Sequence, residues 1–284
     1  MNVITPGFAL VVIGYFVGPA LGLEARTLTR YSYYILIPAL IFDVIAPAQV
    51  EVSEATRMIV FAVLVHIALA GLGWMVAKAL QRPKEMVSAY MLIAVFGNVG
   101  NFGLPLIEFR LGQEAFAAAT VYFLAIMTTA FIVGVAAANL PRGGGLKATL
   151  AVFKTPALIA LIPALFVNVT SISPPLFLER IIGLLSAATI PTMLIALGVQ
   201  LSTLKSFKIT PDVIITSGIR LLVGPALAVA LAIPFGITGI ERGAGILQTA
   251  MPAAVLTAII AMEYELIPEF VATSVLFSTL LSVI

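Results

Sequence analysis

Cysteine is absent from the 284 residues, histidine and tryptophan occur once each, and only 10% of the residues are charged. Without cysteine there is no disulfide framework, no thiol nucleophile and no thiolate metal site. A single histidine, His66, cannot build a multi-histidine metal centre. Basic blocks are missing too. Fifteen Lys and Arg against thirteen Asp and Glu leave a net charge of +2, which excludes the electrostatic footprint of a nucleic-acid binder. Nor is there a Ser-His-Asp or two-Asp constellation that would suit an intramembrane enzyme. What fills the chain instead is apolar: 61% hydrophobic residues and a mean hydropathy of +1.16. A soluble domain carries roughly a quarter charged residues. So much apolar surface cannot be hidden inside one globule of this size, and lipid is the solvent that tolerates it. A soluble enzyme is excluded. Met1-Asn2-Val3-Ile4-Thr5 carries no basic stretch, so the first apolar run reads as a span, not a cleaved signal.

Each membrane helix needs about 20 mostly apolar residues. Breaking the chain at charged and Gly/Pro-rich punctuation predicts an all-α membrane protein of ten spans. They run over 4–22, 31–47, 56–78, 85–108, 114–138, 156–172, 176–202, 211–237, 242–262 and 267–284. The longest connection, 140–155, holds Gly143-Gly144-Gly145 with Arg142, Lys147 and Lys154, and reads as a basic segment on the membrane surface. Loops after spans one, three, five and seven hold Arg26, Arg30, Lys78, Arg82, Lys84, Arg142, Lys147, Lys154, Lys205 and Lys208. The opposite loops hold only Arg57, Arg110, Arg180 and Arg242. This asymmetry makes the first set cytoplasmic in a plasma (inner) membrane protein and puts both termini outside. The loop after span nine, with Glu263, Glu265 and Glu269, offers no bases, but acids weigh little in this rule.

Sliding the chain against itself by about 153–154 residues aligns several spans. Ile37-Pro38 falls on Ile190-Pro191, and His66 on Arg220. Phe116, Ala118, Val121 and Phe123 fall on Phe270, Ala272, Val275 and Phe277. A repeat of five spans forces the second copy to insert upside down. The expected organisation is therefore a first repeat over 1–139, a cytoplasmic linker over 140–155 and a second, inverted repeat over 156–284. Inverted repeats are the architecture of many secondary transporters, whose substrate site lies near the midplane on interrupted helices.

Such interruptions occur at matching levels of the two halves. Span four contains Phe96-Gly97-Asn98-Val99-Gly100-Asn101-Phe102-Gly103-Leu104-Pro105, and span nine contains Gln248-Thr249-Ala250-Met251-Pro252-Ala253-Ala254. Each Gly costs a helix about 1 kcal/mol and each Pro about 3 relative to Ala. Freed backbone groups in lipid cost several more unless something satisfies them. Two unwound helices would present half-helix N-termini, whose N–H groups and partial positive charge form an anion site. Asn98 and Asn101 would orient a carboxylate; Gln248 and Thr249 precede the second break as substrate or ion contacts. The alternative is plain packing: Gly97, Gly100 and Gly103, spaced by three, also make a groove for a neighbouring helix.

The run Asn98 to Leu106 resembles the fourth-helix motif of the auxin efflux carrier family, which includes plant PIN proteins and bacterial malonate or malate permeases. Leu36-Ile37-Pro38-Ala39-Leu40-Ile41-Phe42 is similar to that family's second helix. Met251-Pro252 followed by Ala261-Met262-Glu263-Tyr264 is similar to its ninth. The resemblance covers essentially the whole chain. It implies a bile-acid-symporter or sodium/proton-antiporter type of fold with helices four and nine broken and crossing. It further implies a scaffold of helices one, two, six and seven, a moving domain made of the others, and a homodimer through the scaffold. The family's crossover Asn falls on Asn98 and its crossover prolines on Pro105 and Pro252; Val99, Ala253 and Ile41 complete the expected substrate contacts. Ile41 and Asp43 stand where plant carriers have Ser and His, and Met262 where they have Lys. The expected substrate is a small organic anion such as malonate, malate or an auxin-like carboxylate, with these departures favouring one smaller than indole-acetate, and membrane lipid is the other expected partner.

Three ionisable residues inside spans are candidates for coupling or charge. Arg220 lies about 15 Å into span eight, near the midplane. It either attracts the anion, stands in for a coupling cation, or binds broken-helix carbonyls. His66 would suit a proton relay or a hydrogen bond between helices. Asp43 either faces the substrate path or sits hydrated at the interface. No cofactor is expected. Energy coupling stays open between sodium, a proton and voltage alone. The leading expectation is a secondary transporter of small organic anions working by alternating access. The alternatives are a cation/proton antiporter, or a non-transporting sensor or sterol-binding module on the same fold.

Overall fold

Prolines decide where the helices of this chain deform. A computed structural model describes residues 5–48, 51–142, 156–202 and 208–282. Among these residues the elements are helical, with one isolated antiparallel bridge between Gly97 and Ala253. Helix α1 spans Thr5–Ala20, α2 Ala25–Ile45 and α3 Val52–Ala79. Helices α4 (Lys84–Val95) and α5 (Leu104–Leu111) flank the first break. Then come α6 (Glu114–Ala138), α7 (Pro156–Thr170), α8 (Leu176–Ser202) and α9 (Pro211–Ala232). The second break separates α10 (Gly239–Ala250) from α11 (Val255–Glu263), and α12 covers Pro268–Leu281. Helices α2, α3, α6, α8 and α9 are long and apolar enough to cross a membrane, and α1, α7 and α12 are shorter apolar helices.

Two helices start earlier than hydropathy predicts. Helix α2 begins at Ala25 rather than 31, and α3 at Val52 rather than 56. The added turns are polar, with Arg26 and Arg30 in one and Glu54 in the other, so an apolar window misses them although they continue the helix. The basic linker with Lys147 and Lys154, and the loop with Lys205, lie outside the described residues, as do the side chains of Met262 and Glu263.

Among the described residues three π-helical turns occur, at Ser32–Leu36, Val99–Gly103 and Ile219–Val223. Each ends two residues before a proline: Pro38, Pro105 and Pro225. A proline ring inside a helix clashes with the carbonyl four residues back and donates no hydrogen bond. Widening the preceding turn relieves the clash. The backbone N–H of Ile37 reaches Ser32 O, and that of Gly224 reaches Ile219 O, both one residue further back than in an α-helix.

By its internal contacts the chain divides into two interleaved units. Unit 1 comprises Met1–Val52, Gly100–Thr120 and Phe153–Lys205; unit 2 comprises Ser53–Val99, Val121–Val152 and Ser206–Ile284. In unit 1, α1 and α8 cross with their backbones in contact. A Cβ built on Gly198 would lie 2.1 Å from Val11 O, and one on Gly14 2.3 Å from Ile195 O. Small residues allow such close approach where lipid supplies no hydrophobic drive between helices. Helix α2 is tied to α7 by Asn168, whose Nδ2 donates to the carbonyls of Ile45 (3.1 Å), Ala46 (3.1 Å) and Ala48 (2.7 Å). In unit 2, aromatic rings fill the interior: Tyr90 stacks on Phe270, Phe61 meets Tyr122 edge-on, and Phe96 meets Phe131 edge-on.

Gly198→Ala must push α1 from α8, an overpacking cost of about 1–3 kcal/mol. Its melting temperature in detergent is expected to fall by roughly 5 °C. Gly183→Ala, on the same helix with open space around it, should be neutral. Equal melting temperatures for the two variants would refute the close crossing.

Candidate functional site

The two breaks are hydrogen-bonded to each other. After α4 ends at Val95 the chain runs extended through Phe96, and after α10 ends at Ala250 it runs extended through Met251. The N–H of Asn98 donates to Pro252 O at 2.7 Å and that of Ala254 to Phe96 O at 2.9 Å. The pair flanks the Gly97–Ala253 bridge. The N–H of Ala253 donates to Ser278 Oγ of α12 at 3.1 Å. Part of the backbone freed by unwinding is therefore satisfied within unit 2. The half-helix N–H groups that the sequence suggests as an anion cradle are fewer than the two breaks alone would offer.

Arg220 supplies what the breaks lack. Its guanidinium is fully buried; Nε donates to Met251 O at 2.8 Å and Nη1 to Ala94 O at 2.9 Å. Those carbonyls terminate α10 and α4, so one planar fork caps two helix C-termini whose partial negative charge favours a cation. Its Nη2 has no hydrogen-bond partner among the described residues. Gly97 lies against this group, and a Cβ there would fall 2.1 Å from Nη2. The glycine is thus a requirement of the arginine, not of backbone φ. Arg220 itself sits in the π turn that precedes Pro225.

Unit 2 collects most of the expected site. Asn98, Val99, Gln248, Thr249, Pro252 and Ala253 are all buried there beside the crossing. The side-chain amide of Asn98 takes no hydrogen-bond partner among the described residues. Thr249 Oγ1 donates to Gly245 O at 2.9 Å, one turn back in α10. His66, on α3, is fully buried within electrostatic reach of Arg220. Its Nδ1 faces Ala62 O at 2.9 Å, and since a carbonyl only accepts, Nδ1 carries the proton. Nε2 is left without a partner among the described residues.

Four expected residues belong to unit 1: Ile41, Asp43, Asn101 and Pro105. Ile41 is buried, whereas Asp43 is exposed on an open cavity of about 560 Å³ that Asn168 and Glu179 also line. Asn101 is partly exposed and Pro105 buried.

Two features escape a reading of the sequence. Asp212, in the first turn of α9, takes a bidentate pair from Arg82 (2.9 and 3.1 Å) and the hydroxyl of Tyr90 at 2.5 Å. Its partners are about 130 and 120 residues away, so no local signal announces it; only the cap sequence Thr210-Pro211-Asp212 is readable. The second is Ser278, one of four hydroxyl residues of α12, whose use becomes visible only when Ala253 is set beside it.

Residues 2–149 and 142–284 both match the family described as membrane transport protein. The chain belongs to that family, which is the family of the auxin efflux carriers. An "Uncharacterized transporter" of Methanothermobacter thermautotrophicus is 25% identical over 97% of this chain and 92% of its own length. A protein of Rhizobium meliloti named "Putative malonate transporter" is 27% identical over 99% of this chain and 92% of its own. Auxin efflux carrier component 3a of Oryza sativa is 27% identical over 39% of this chain and 18% of its own. The protein is a membrane transporter and not an enzyme, and its apolar helices make it an integral, multi-pass one.

Replacing Arg220 by Met keeps the bulk but leaves the carbonyls of Ala94 and Met251 buried without donors, at about 1–3 kcal/mol each. The melting temperature in detergent is expected to fall by roughly 10 °C. Arg220→Lys, which has no planar fork, should recover less than half of that. An unchanged melting temperature in both variants would show that the two helix ends do not depend on the guanidinium.

Proposed function

We propose that the protein is a secondary transporter of small organic carboxylate anions, working by alternating access, with the substrate bound at the crossing of the two broken helices. The observation that carries this reading is the buried Arg220, a fixed cation held by two helix ends beside the unpartnered amide of Asn98. A transporter that exchanges cations needs carboxylates at this place, and neither Phe96–Pro105 nor Gln248–Ala254 contains Asp or Glu. The relative named for malonate transport, matched over nearly its full length, supports a small dicarboxylic acid as the substrate.

The rest of the architecture follows in the same reading. Ten transmembrane helices form two inverted repeats of five, joined by the 140–155 linker, in the bile-acid-symporter and sodium/proton-antiporter type of fold. Helices α1, α2, α7 and α8, all in unit 1, are the scaffold and carry the contacts of a homodimer. The remaining transmembrane helices, with the crossing, are the body that moves. Both termini face outward from the plasma membrane, since the bases gather in the other set of loops.

Charge movement in proteoliposomes on a solid-supported membrane tests this. Malonate, malate or succinate jumps should evoke a current in the wild type that drops at least tenfold in Asn98→Ala at equal folded yield. A full carboxylate current in Asn98→Ala would remove the crossing from the substrate path. A response to sodium or pH with none to carboxylates would make the protein an antiporter.

A further inference from the structure

The interior of unit 2 has an unusual charge count. Within unit 2, α4 and α10 end at the crossing and α11 begins there, so the half-charges of these ends partly offset one another. Arg220 then adds a full positive charge, which sets the sign. The other charged side chains on the elements around it stand near helix ends, within about two turns. They are Glu54, Arg57 and Lys78 on α3, Lys84 and Glu85 on α4, and Asp212 on α9. Helices α10 and α12 add Glu241, Arg242 and Glu269, and α11 ends at Glu263. Asp212 is already paired with Arg82. Among the described residues no carboxylate accompanies Arg220, and no second cation stands beside it.

The unsatisfied polar atoms at this level are equally specific. Arg220 Nη2 offers N–H donors, and His66, whose Nδ1 donates to Ala62 O, offers a bare lone pair at Nε2 in its neutral form; the Asn98 amide, which takes no partner among the described residues, adds a donor and an acceptor. A buried acceptor without a donor is costly, and so is a buried charge without a partner. A ligand that answers all three brings one negative charge for the guanidinium and one hydrogen-bond donor for the imidazole.

Resting on the reading of the crossing as the substrate site, we infer that this transporter takes its organic acid as a monoanion carrying a hydrogen-bond donor. A dicarboxylic acid therefore enters half-protonated, its carboxylate on Arg220 and Asn98 and its carboxyl O–H on His66 Nε2. A fully ionised dicarboxylate would bring a second charge into a site with one cation. Loaded in this way the crossing is electrically neutral.

Three probes separate charge from donor. Malonate changes from monoanion to dianion at its second ionisation. Malonamate is a permanent monoanion with amide N–H donors. Monomethyl malonate is a permanent monoanion with no donor. Binding to the purified full chain would be measured by calorimetry between about pH 5 and pH 8. The expected result is a malonate Kd that weakens about tenfold per pH unit above the second ionisation. The malonamate Kd should stay flat, and the ester should bind at least tenfold more weakly than malonamate. His66→Leu should remove malonamate's advantage over the ester, and His66→Gln, which restores an acceptor, should return it. Where His66→Leu fails to fold, His66→Gln and the wild-type series decide. Malonate affinity that rises with pH, or malonamate no better than the ester, overturns the inference. So does a malonate slope that vanishes in His66→Gln, which would assign the proton to the imidazole. If none of the three acids binds, or if Asn98→Ala leaves their binding unchanged, the reading of the crossing itself falls.

Discussion

Two hydrogen bonds from one guanidinium hold the centre of unit 2 together. A helix that stops in an apolar interior leaves its last carbonyls without donors, and lipid offers no water to supply them. This chain stops two helices at one level. Arg220 reaches Ala94 O with Nη1 and Met251 O with Nε, satisfying one carbonyl from each. The planar, rigid spacing of guanidinium donors suits this task, and a point-charge ammonium does not. Around it the remaining backbone closes on itself through Asn98 to Pro252 and Ala254 to Phe96. Gly97 has no Cβ because the guanidinium occupies that volume.

Where Arg220 points depends on a proline one turn ahead. The π turn Ile219–Val223 inserts one extra residue before Pro225, which rotates every earlier side chain of α9 by about 100° relative to the later ones. Removing the bulge would turn Arg220 away from the two carbonyls while the helix stayed intact. The same device recurs before Pro38 and Pro105, so a steric conflict at the proline becomes a way to re-aim a helix. Local covalent geometry thereby sets the position of a fully buried charge in the middle of unit 2.

The composition, the two breaks and the intramembrane Arg220 and His66 were legible in the sequence, since each violates what an apolar span prefers. The motif from Asn98 to Leu106 was enough to suggest the family to which the chain belongs. What stayed hidden is what depends on distant contact. Asp212 gives no hint of Arg82 and Tyr90, because a charged residue in a helix's first turn already has a local explanation. Gly97 reads as one of three packing glycines until Arg220 is set against it. The breaks read as two open anion cradles until their backbones are seen bonded to each other, which only pairing across about 154 residues reveals. Asn101 and Pro105 read as part of one motif with Asn98, yet the contacts divide that motif between units at Gly100.

Unit 2 keeps two arginines in opposite ways, and the contrast bears on its chemistry. Arg82 faces a carboxylate in a bidentate pair, with Tyr90 on the same carboxylate, so its charge is cancelled where it stands. Arg220 is held by neutral carbonyls alone, which satisfy its hydrogen bonds and leave its formal charge in place. A cation whose only role is to tie helices would be served at least as well by a paired carboxylate, since a lone buried charge carries the larger desolvation penalty. Keeping the charge uncancelled at the level where the backbone opens makes sense when the missing partner arrives from outside and leaves again. The helix ends therefore do more than cap: they hold a cation in the interior with no carboxylate beside it among the described residues, which is what the proposed anion site requires.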